Sequence, residues 1–368
     1  MPDYIHELPD WPRFRWDERR LAAPLAAARH QQGRLLGHME ALGFTLRDEA
    51  ALRALTDDVV KSSDIEGETL DADQVRSSVA RRLGLDVGGL PAADRHVEGV
   101  VEMMLDATQR CDEPLTVERL FGWHASLFPT GRSGMHRIAV GAWRDDRAAP
   151  MQVVSGPVGR ERVHFQAPAA ERLDDEVRQF LAWFNADTTI EPVLKAALAH
   201  LWFVTLHPFD DGNGRIARAL GDMLLARSEG GAQRFYSMSA QIRAERADYY
   251  GILERTQQGT MDVTSWMDWF LGCLTRAILG AQAGLSGVIE KARYWERLRD
   301  VSLNDRQRLV IGRLLDGFEG HLTTSKWAAL TKCSNDTALR DIQQLVERGV
   351  LVRNQAGGRS TSYALTAG

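Results

Sequence analysis

With 368 residues, 44% hydrophobic and 26% charged, the chain has the composition of a globular protein of two or three domains, which excludes a disordered one. A formal net charge of −5 excludes a protein that coats nucleic acid along its whole length. Cys111, Cys273 and Cys333 are too few and too scattered for a disulfide framework or a zinc knuckle, and a reducing, cytoplasmic setting is expected.

From the N-terminus, no basic region runs into an apolar stretch, so no secretory signal is expected. Trp11, Phe14 and Trp16 follow, aromatics expected to pack on a core. Apolar residues then recur at spacings of three and four over 21–42, 49–60, 93–109, 117–127, 169–185 and 192–206, which predicts helices. Val97, Val100, Val101, Met104 and Leu105 show the pattern in the third of these. Arg81 and Arg82 read as a solvated helix end. The run from Met151 to Pro168 alternates around a Gly-Pro turn and predicts a lone β-hairpin, which either covers a core edge or serves a site.

Further helices are predicted over 214–227, 246–257 and 265–289. Asp268, Arg276 and Gln282 interrupt the last, leaving it short of the roughly 20 apolar residues of a membrane span, and no membrane partner is expected. A charged helix over 290–299 leads to a boundary near Asp300. Beyond it, helices over 305–315, 324–330 and 336–347 precede a hairpin tipped by Gly357-Gly358, the pattern of a winged helix-turn-helix with Ser334 or Asn335 as cap of the recognition helix. Residues 303–368 hold nine Lys or Arg against six Asp or Glu, a net of +3 that permits DNA contact without requiring it. The expected fold class is mostly α.

The chemistry concentrates in Leu206-His207-Pro-Phe-Asp210-Asp211-Gly212-Asn213-Gly214-Arg215-Ile-Ala-Arg218. A helix ends at a histidine, a glycine-rich loop follows, and a new helix opens with two arginines. The loop can turn its N–H groups inward as an anion nest backed by the positive end of the second helix. Arg215 and Arg218 extend from its first turn towards the same anion, Asp211 suits a Mg²⁺ ion shared with phosphate oxygens, and His207 is the loop's one group titrating near neutrality.

These residues match HPFx(D/E)GNGRxxR at every specified position, and the segment resembles the Fic family signature. The resemblance implies a helical core and transfer of AMP from ATP to a hydroxyl side chain of a target protein, with release of pyrophosphate. It implies His207 as general base, Asp211 as Mg²⁺ ligand, and Gly212, Asn213 and Gly214 as phosphate cradle, with Arg215 on the β-phosphate and Arg218 on the γ-phosphate. The hairpin falls where the family places its flap, which aligns the target as an added strand. Asp248 to Gln257 resembles the adenosine-binding helix; Tyr249 and Tyr250 fit that role or plain helix packing, and Gln257 stands where relatives often carry Asn. The first residues resemble a small domain of unknown function that precedes many Fic cores.

Upstream, Ser62-Ser-Asp-Ile-Glu66-Gly67 fits the family's inhibitory pattern, (S/T)xxxE(G/N), although the bland reading is a helix ending at Gly67. The resemblance implies a bidentate pair between Glu66 and Arg218, and faster transfer once the carboxylate is removed. His200 reads as a packed histidine more than as half of a metal pair with His207, and His124 and His136 as structural. The expected organisation is an N-terminal cap (1–46), a Fic core (47–290) with inhibitory helix (about 49–67) and flap (151–168), and a winged-helix domain (300–368). The expected function is a self-inhibited, Mg²⁺- and ATP-dependent protein adenylyltransferase acting on Ser, Thr or Tyr. The alternatives are a Fic enzyme using another phosphate-containing donor or removing AMP, and a nucleotide-sensing regulator binding DNA through the winged helix. A protein partner for that module and a homodimer are also open.

Overall fold

The computed structural model describes residues 3–40, 42, 44–85, 91–147, 149–156, 160–231, 233–299, 301–315, 320–354 and 361–366. Pro157 of the expected Gly-Pro turn, the Gly357-Gly358 tip and the boundary residue Asp300 lie outside the described residues. The chain forms two compact units, Met1–Gln282 and Ala283–Gly368.

In the first unit, α1 (Glu18–Glu40) is followed by α2 (Phe44–Ile65), which starts before the expected 49 and runs across residue 46. The polar helix α3 (Ala72–Arg82) was not predicted, because Val75 and Val79 are nearly its only apolar residues. Asp71 caps it, and Asp94 and Thr116 cap α4 (Arg95–Gln109) and α5 (Val117–Leu127); each cap satisfies otherwise orphaned N–H groups and stabilises by ~1 kcal/mol. Arg81 and Arg82 do not simply meet water, since both reach Glu98 of α4.

Two antiparallel hairpins follow. The first, β1 (Arg132–Ser133) with β2 (His136–Arg137), is too short to leave a sequence pattern. The second, β3 (Gln152–Ser155) with β4 (Arg162–Gln166), lies within the predicted hairpin and carries a register shift at Val153/Val154.

Helix α6 (Leu173–Asn185) leads to α7 (Pro192–Leu206), which opens with Pro192 and a Glu191 cap and buries every residue from Val193 to Leu206. A helix apolar on all sides belongs at the centre of a bundle, and α7 packs most extensively on α8 (Asn213–Glu229). The seven-residue α9 (Met238–Ala244), unpredicted for its brevity, packs on α2. Next come α10 (Arg246–Gln257) and α11 (Thr264–Arg297), the latter joining the apolar and charged segments of the sequence into one helix. Trp11 and Phe14 pack edge-on against Trp202 of α7, and the Trp11 indole donates to Glu176.

The second unit holds α12 (Asp305–Leu315), α13 (Thr324–Thr331), α14 (Asn335–Glu347) and the antiparallel pair β5 (Leu351–Arg353) and β6 (Tyr363–Leu365). Val310, Ile311, Trp327, Ile342, Leu345 and Leu351 form its own core. Ser334, one of the two predicted caps, accepts from the Thr337 N–H. Among the described residues no helix is long and apolar enough to cross a membrane.

Candidate active site

The glycine-rich loop joins the two most intimately packed helices, so its ends are fixed by the core. His207 ends α7 at φ 48°, in the left-handed region that costs a non-glycine residue ~1–2 kcal/mol. Arg144 supports that conformation. Its side chain is fully buried, its Nε donates to His207 O at 2.8 Å, and its Nη2 donates to Pro168 O at 2.5 Å beyond the end of β4. Its main-chain N–H donates to Pro208 O at 2.9 Å, and Asp146 pairs with its Nη1 at 2.6 Å.

Within the loop, the Asn213 amide donates to Phe209 O at 2.8 Å and accepts from Phe209 N–H at 3.0 Å. Phe209 in turn stacks on His124, ring centroids 4.2 Å apart. The Gly141 N–H donates to His124 Nδ1, so the proton sits on Nε2 and is donated to Asp211 O at 3.2 Å. Burial pushes His124 down to about 4, keeping it neutral as this brace requires. His124 is thus structural, as predicted, and what it shapes is the loop itself.

The loop's functional groups converge. His207 Nδ1 donates to Val204 O at 3.2 Å, leaving Nε2 unprotonated and able to accept a proton. Burial, reinforced by the Arg144 charge and opposed by the Val204 contact, Glu66 and Asp211, holds this imidazole below its ordinary 6.5. Asp211 accepts from Gly212 N–H at 2.6 Å and from Ser133 Oγ of β1 at 2.5 Å, with its side chain 40% exposed. Gly212 takes φ 82°, a conformation that favours glycine, and turns the chain into α8, whose first N–H groups are left for an anion.

Arg215 and Arg218 of α8 have side chains only 1% and 2% exposed. Arg215 lies over the Phe128 ring, 5.0 Å from its centroid, with Glu68 on Nη1. Arg218 Nε donates to Ser62 Oγ, and its Nη2 donates both to Ser62 O and to Glu66 Oε1, each at 2.8 Å. Glu66 therefore makes a single contact and not the expected bidentate fork, while Ser62 holds Nε and shares Nη2. The helix-end reading of the motif also holds. Gly67 at φ 85°, with N–H bonds from Gly67 to Asp64 O and from Glu68 to Ser63 O, closes α2 as a Schellman motif and leaves Glu66 just past its last turn. The Glu66 carboxylate lies so close over α8 that a Cβ on Gly214 would stand 2.1 Å from its Oε1.

Residues 114–225 match the model of the Fic/DOC family, and residues 4–85 match that of a domain of unknown function, DUF4172. The chain carries a Fic/DOC family domain. A protein adenylyltransferase fic-1 of Caenorhabditis elegans is 31% identical over 129 residues, 34% of this chain and 23% of that protein. A protein adenylyltransferase Fic of Drosophila willistoni is 26% identical over 273 residues, 71% of this chain and 47% of that protein. The chain thus spans between about a quarter and a half of these curated relatives. Its fold is similar to the crystal structure of a Fic family protein from Desulfovibrio desulfuricans G20, with TM-score 0.52 and 22% identity over 94% of this chain and 96% of that one.

The remaining predicted site residues of this Fic-domain protein divide. Tyr250 lies beside the turn that carries Glu66, its hydroxyl donating to Ile65 O at 3.4 Å, and Arg246 Nε donates to the same carbonyl. Tyr249 is more deeply buried, 1% exposed, with its hydroxyl on His200 Nε2 at 2.9 Å, its ring centroid 5.1 Å from that of Tyr250, and the Arg218 charge beside it. Burial keeps His200 neutral, a packed histidine as expected. Gln257 is buried too, its amide donating to Thr205 Oγ1 at 3.2 Å. The β3–β4 hairpin is tethered to α10 by Glu254, which pairs with Arg162 and His164 of β4. Neither β3 nor β4 has a second partner strand among the described residues, which leaves an open edge.

Proposed function

We propose that this Fic-domain protein is a self-inhibited protein adenylyltransferase, joining AMP from ATP to a Ser, Thr or Tyr hydroxyl of a target protein. The observation that carries the reading is the His207 tautomer: an imidazole kept neutral by burial, with its free Nε2 in the same loop as an anion nest and two buried arginines. The adenylyltransferase names of the curated relatives support it. The target hydroxyl oxygen attacks the α-phosphorus, the bond to the bridging oxygen breaks, pyrophosphate departs, and the hydroxyl proton passes to Nε2. Arg215 and Arg218 balance the charge of the leaving phosphates.

Asp211 would hold Mg²⁺, which supplies further charge neutralisation to the phosphates. Its half-open carboxylate suits an ion that takes most other ligands from water and nucleotide, and among the described residues no cluster of three or more His, Cys, Asp or Glu forms a metal cage of its own. The flap's open edge suits a target bound as an added strand, and Tyr250 is the α10 residue we assign to the adenosine side. We assign 300–368 as a winged-helix domain that docks DNA or a protein.

The test uses ATP labelled at the α- or the γ-phosphate with Mg²⁺, a cell lysate and the Glu66→Gly variant. Label from the α-phosphate alone is expected on protein. Label from the γ-phosphate instead would make the enzyme a kinase and overturn the reading. Because a base must be deprotonated and the His207 pKa is lowered, transfer should rise with pH along an acid limb whose midpoint lies below 6.5. A midpoint above 6.5 in the pH–rate profile would remove His207 from that role. Arg144→Met should lower kcat by up to ~10²-fold through a misplaced His207, with KM for ATP little changed. Steady-state kinetics separate the two parameters.

A further inference from the structure

The turn that ends α2 presents a second carboxylate. Two residues past Glu66, Glu68 Oε2 lies 2.5 Å from Arg215 Nη1, so Glu66 and Glu68 each hold one of the two signature arginines. We infer that Glu68 is a second inhibitory carboxylate, which occupies the phosphate-binding nitrogen of Arg215 as Glu66 occupies that of Arg218. This rests on the adenylyltransferase reading and extends its regulation to a residue outside the inhibitory pattern.

Three features favour competition over support. First, Arg215 does not need Glu68 to keep its position: its side chain is buried along α8, its guanidinium covers the Phe128 ring, and Asp211 Oδ2 stands 3.9 Å from Nη2. Second, a carboxylate and a phosphate bind a guanidinium through the same directed N–H···O⁻ bonds, so an anion already on Nη1 competes with another for that side of the group. Third, Glu68 has somewhere else to go. Its side chain is one-third exposed, and His96 Nε2 of α4 lies 3.5 Å from the same Oε2. Burial raises the Glu68 carboxyl, but the His96 contact and the Arg215 charge outweigh it and hold it ionised. When nucleotide takes Arg215, His96 remains as a partner that does not compete with phosphate.

The geometry also ties the two carboxylates together. Gly67, in the left-handed region, lies between them, and the N–H bonds of Gly67 and Glu68 to Asp64 O and Ser63 O set both side chains from one turn. Unwinding that turn would free both arginines in a single motion. A carboxylate held on each arginine makes the ligand-free site electrically similar to the occupied one, and ATP must displace both charges to seat its phosphates.

The experiment measures ATP affinity by calorimetry with Mg²⁺ present, and label transfer from α-phosphate-labelled ATP, for wild type, Glu66→Gly, Glu68→Gln and the double variant, with thermal melts to check folding. Glu68→Gln is expected to bind ATP about 5- to 150-fold more tightly than wild type and to transfer more label, and the double variant to exceed Glu66→Gly. Glu68→Asp, which keeps the charge but shortens the reach, should also bind ATP more tightly than wild type. Unchanged or weaker ATP binding by Glu68→Gln, with Glu66→Gly activated, would overturn the inference while leaving the enzyme reading intact. Tighter ATP binding by Glu68→Gln with no label transferred by any variant would uphold the competition and overturn adenylyl transfer.

Discussion

Replacing Glu66 by glycine is expected to accelerate AMP transfer about 5- to 150-fold, the range of a coupling free energy of ~1–3 kcal/mol. The direction follows from what the carboxylate occupies. Glu66 Oε1 takes Arg218 Nη2 at 2.8 Å and covers Gly214, where the nest of α8 would receive phosphate. The upper bound follows from what remains, because Ser62 still holds Arg218 Nε and Nη2 after the substitution, so the arginine keeps its place without being fully released. Gly67 still closes α2, so the turn itself should survive. Most substitutions of a charged group at a reacting centre slow the reaction or destabilise the fold, and neither effect imitates a gain. Adding His207→Ala to the Glu66→Gly variant is expected to remove ~10²- to 10⁴-fold of the rate, the usual contribution of a general base. Initial rates of label transfer check both. A Glu66→Gly protein no faster than wild type would dismiss the brake, and a double variant as fast as Glu66→Gly would dismiss the base.

The 207–218 segment was readable because its parts act locally. A left-handed histidine, a glycine turn and a helix start lie within twelve consecutive residues, and their roles follow from that order. What supports the segment comes from far along the chain. Arg144 reaches His207 O across 63 positions, Ser133 reaches Asp211 across 78, and Glu68 reaches Arg215 across 147. None carries a local pattern that separates it from an ordinary surface Arg, Ser or Glu. Helical spacing predicted α10 but gave no way to tell which way each tyrosine faces. Neighbouring positions on a helix point about 100° apart, and the core took Tyr249 while Tyr250 went to the end of α2. The opposite error arose at α3, where a helix capped by Asp71 and held by Glu98 lacked the apolar stripe that periodicity requires.

Arg234→Met is expected to destabilise the protein by ~3–5 kcal/mol at pH 8, the usual cost of breaking a buried ion pair, and by clearly less at pH 5.5. Arg234 is 2% exposed, pairs with Asp222 of α8 and lies over Tyr236. Its charge also acts on Asp58 of α2, which accepts from Ser237 Oγ at 2.6 Å and Ser239 N–H at 3.1 Å. One cation thus serves Asp58 and Asp222 from two helices, and its charge also acts on Glu229 of α8. Burial and Asp222 push the Asp58 carboxyl up to about 7 from an ordinary 3.8 even with Arg234 present. A carboxyl whose pKa is raised on folding binds its proton more tightly in the native state, so its contribution to stability falls as pH rises from about 4 to about 7. Without Arg234 both carboxyls rise further, and the loss grows with pH until both must ionise unneutralised or stay protonated at a cost. Urea unfolding at the two pH values checks the sign, and equal losses at both would mean that Arg234 acts by packing alone. The consequence reaches the active site, because Asp58 lies one helical turn before Ser62. The cation that neutralises Asp58 therefore helps seat the helix whose end puts Glu66 on Arg218, and a partial loosening there should raise basal transfer before the fold is lost.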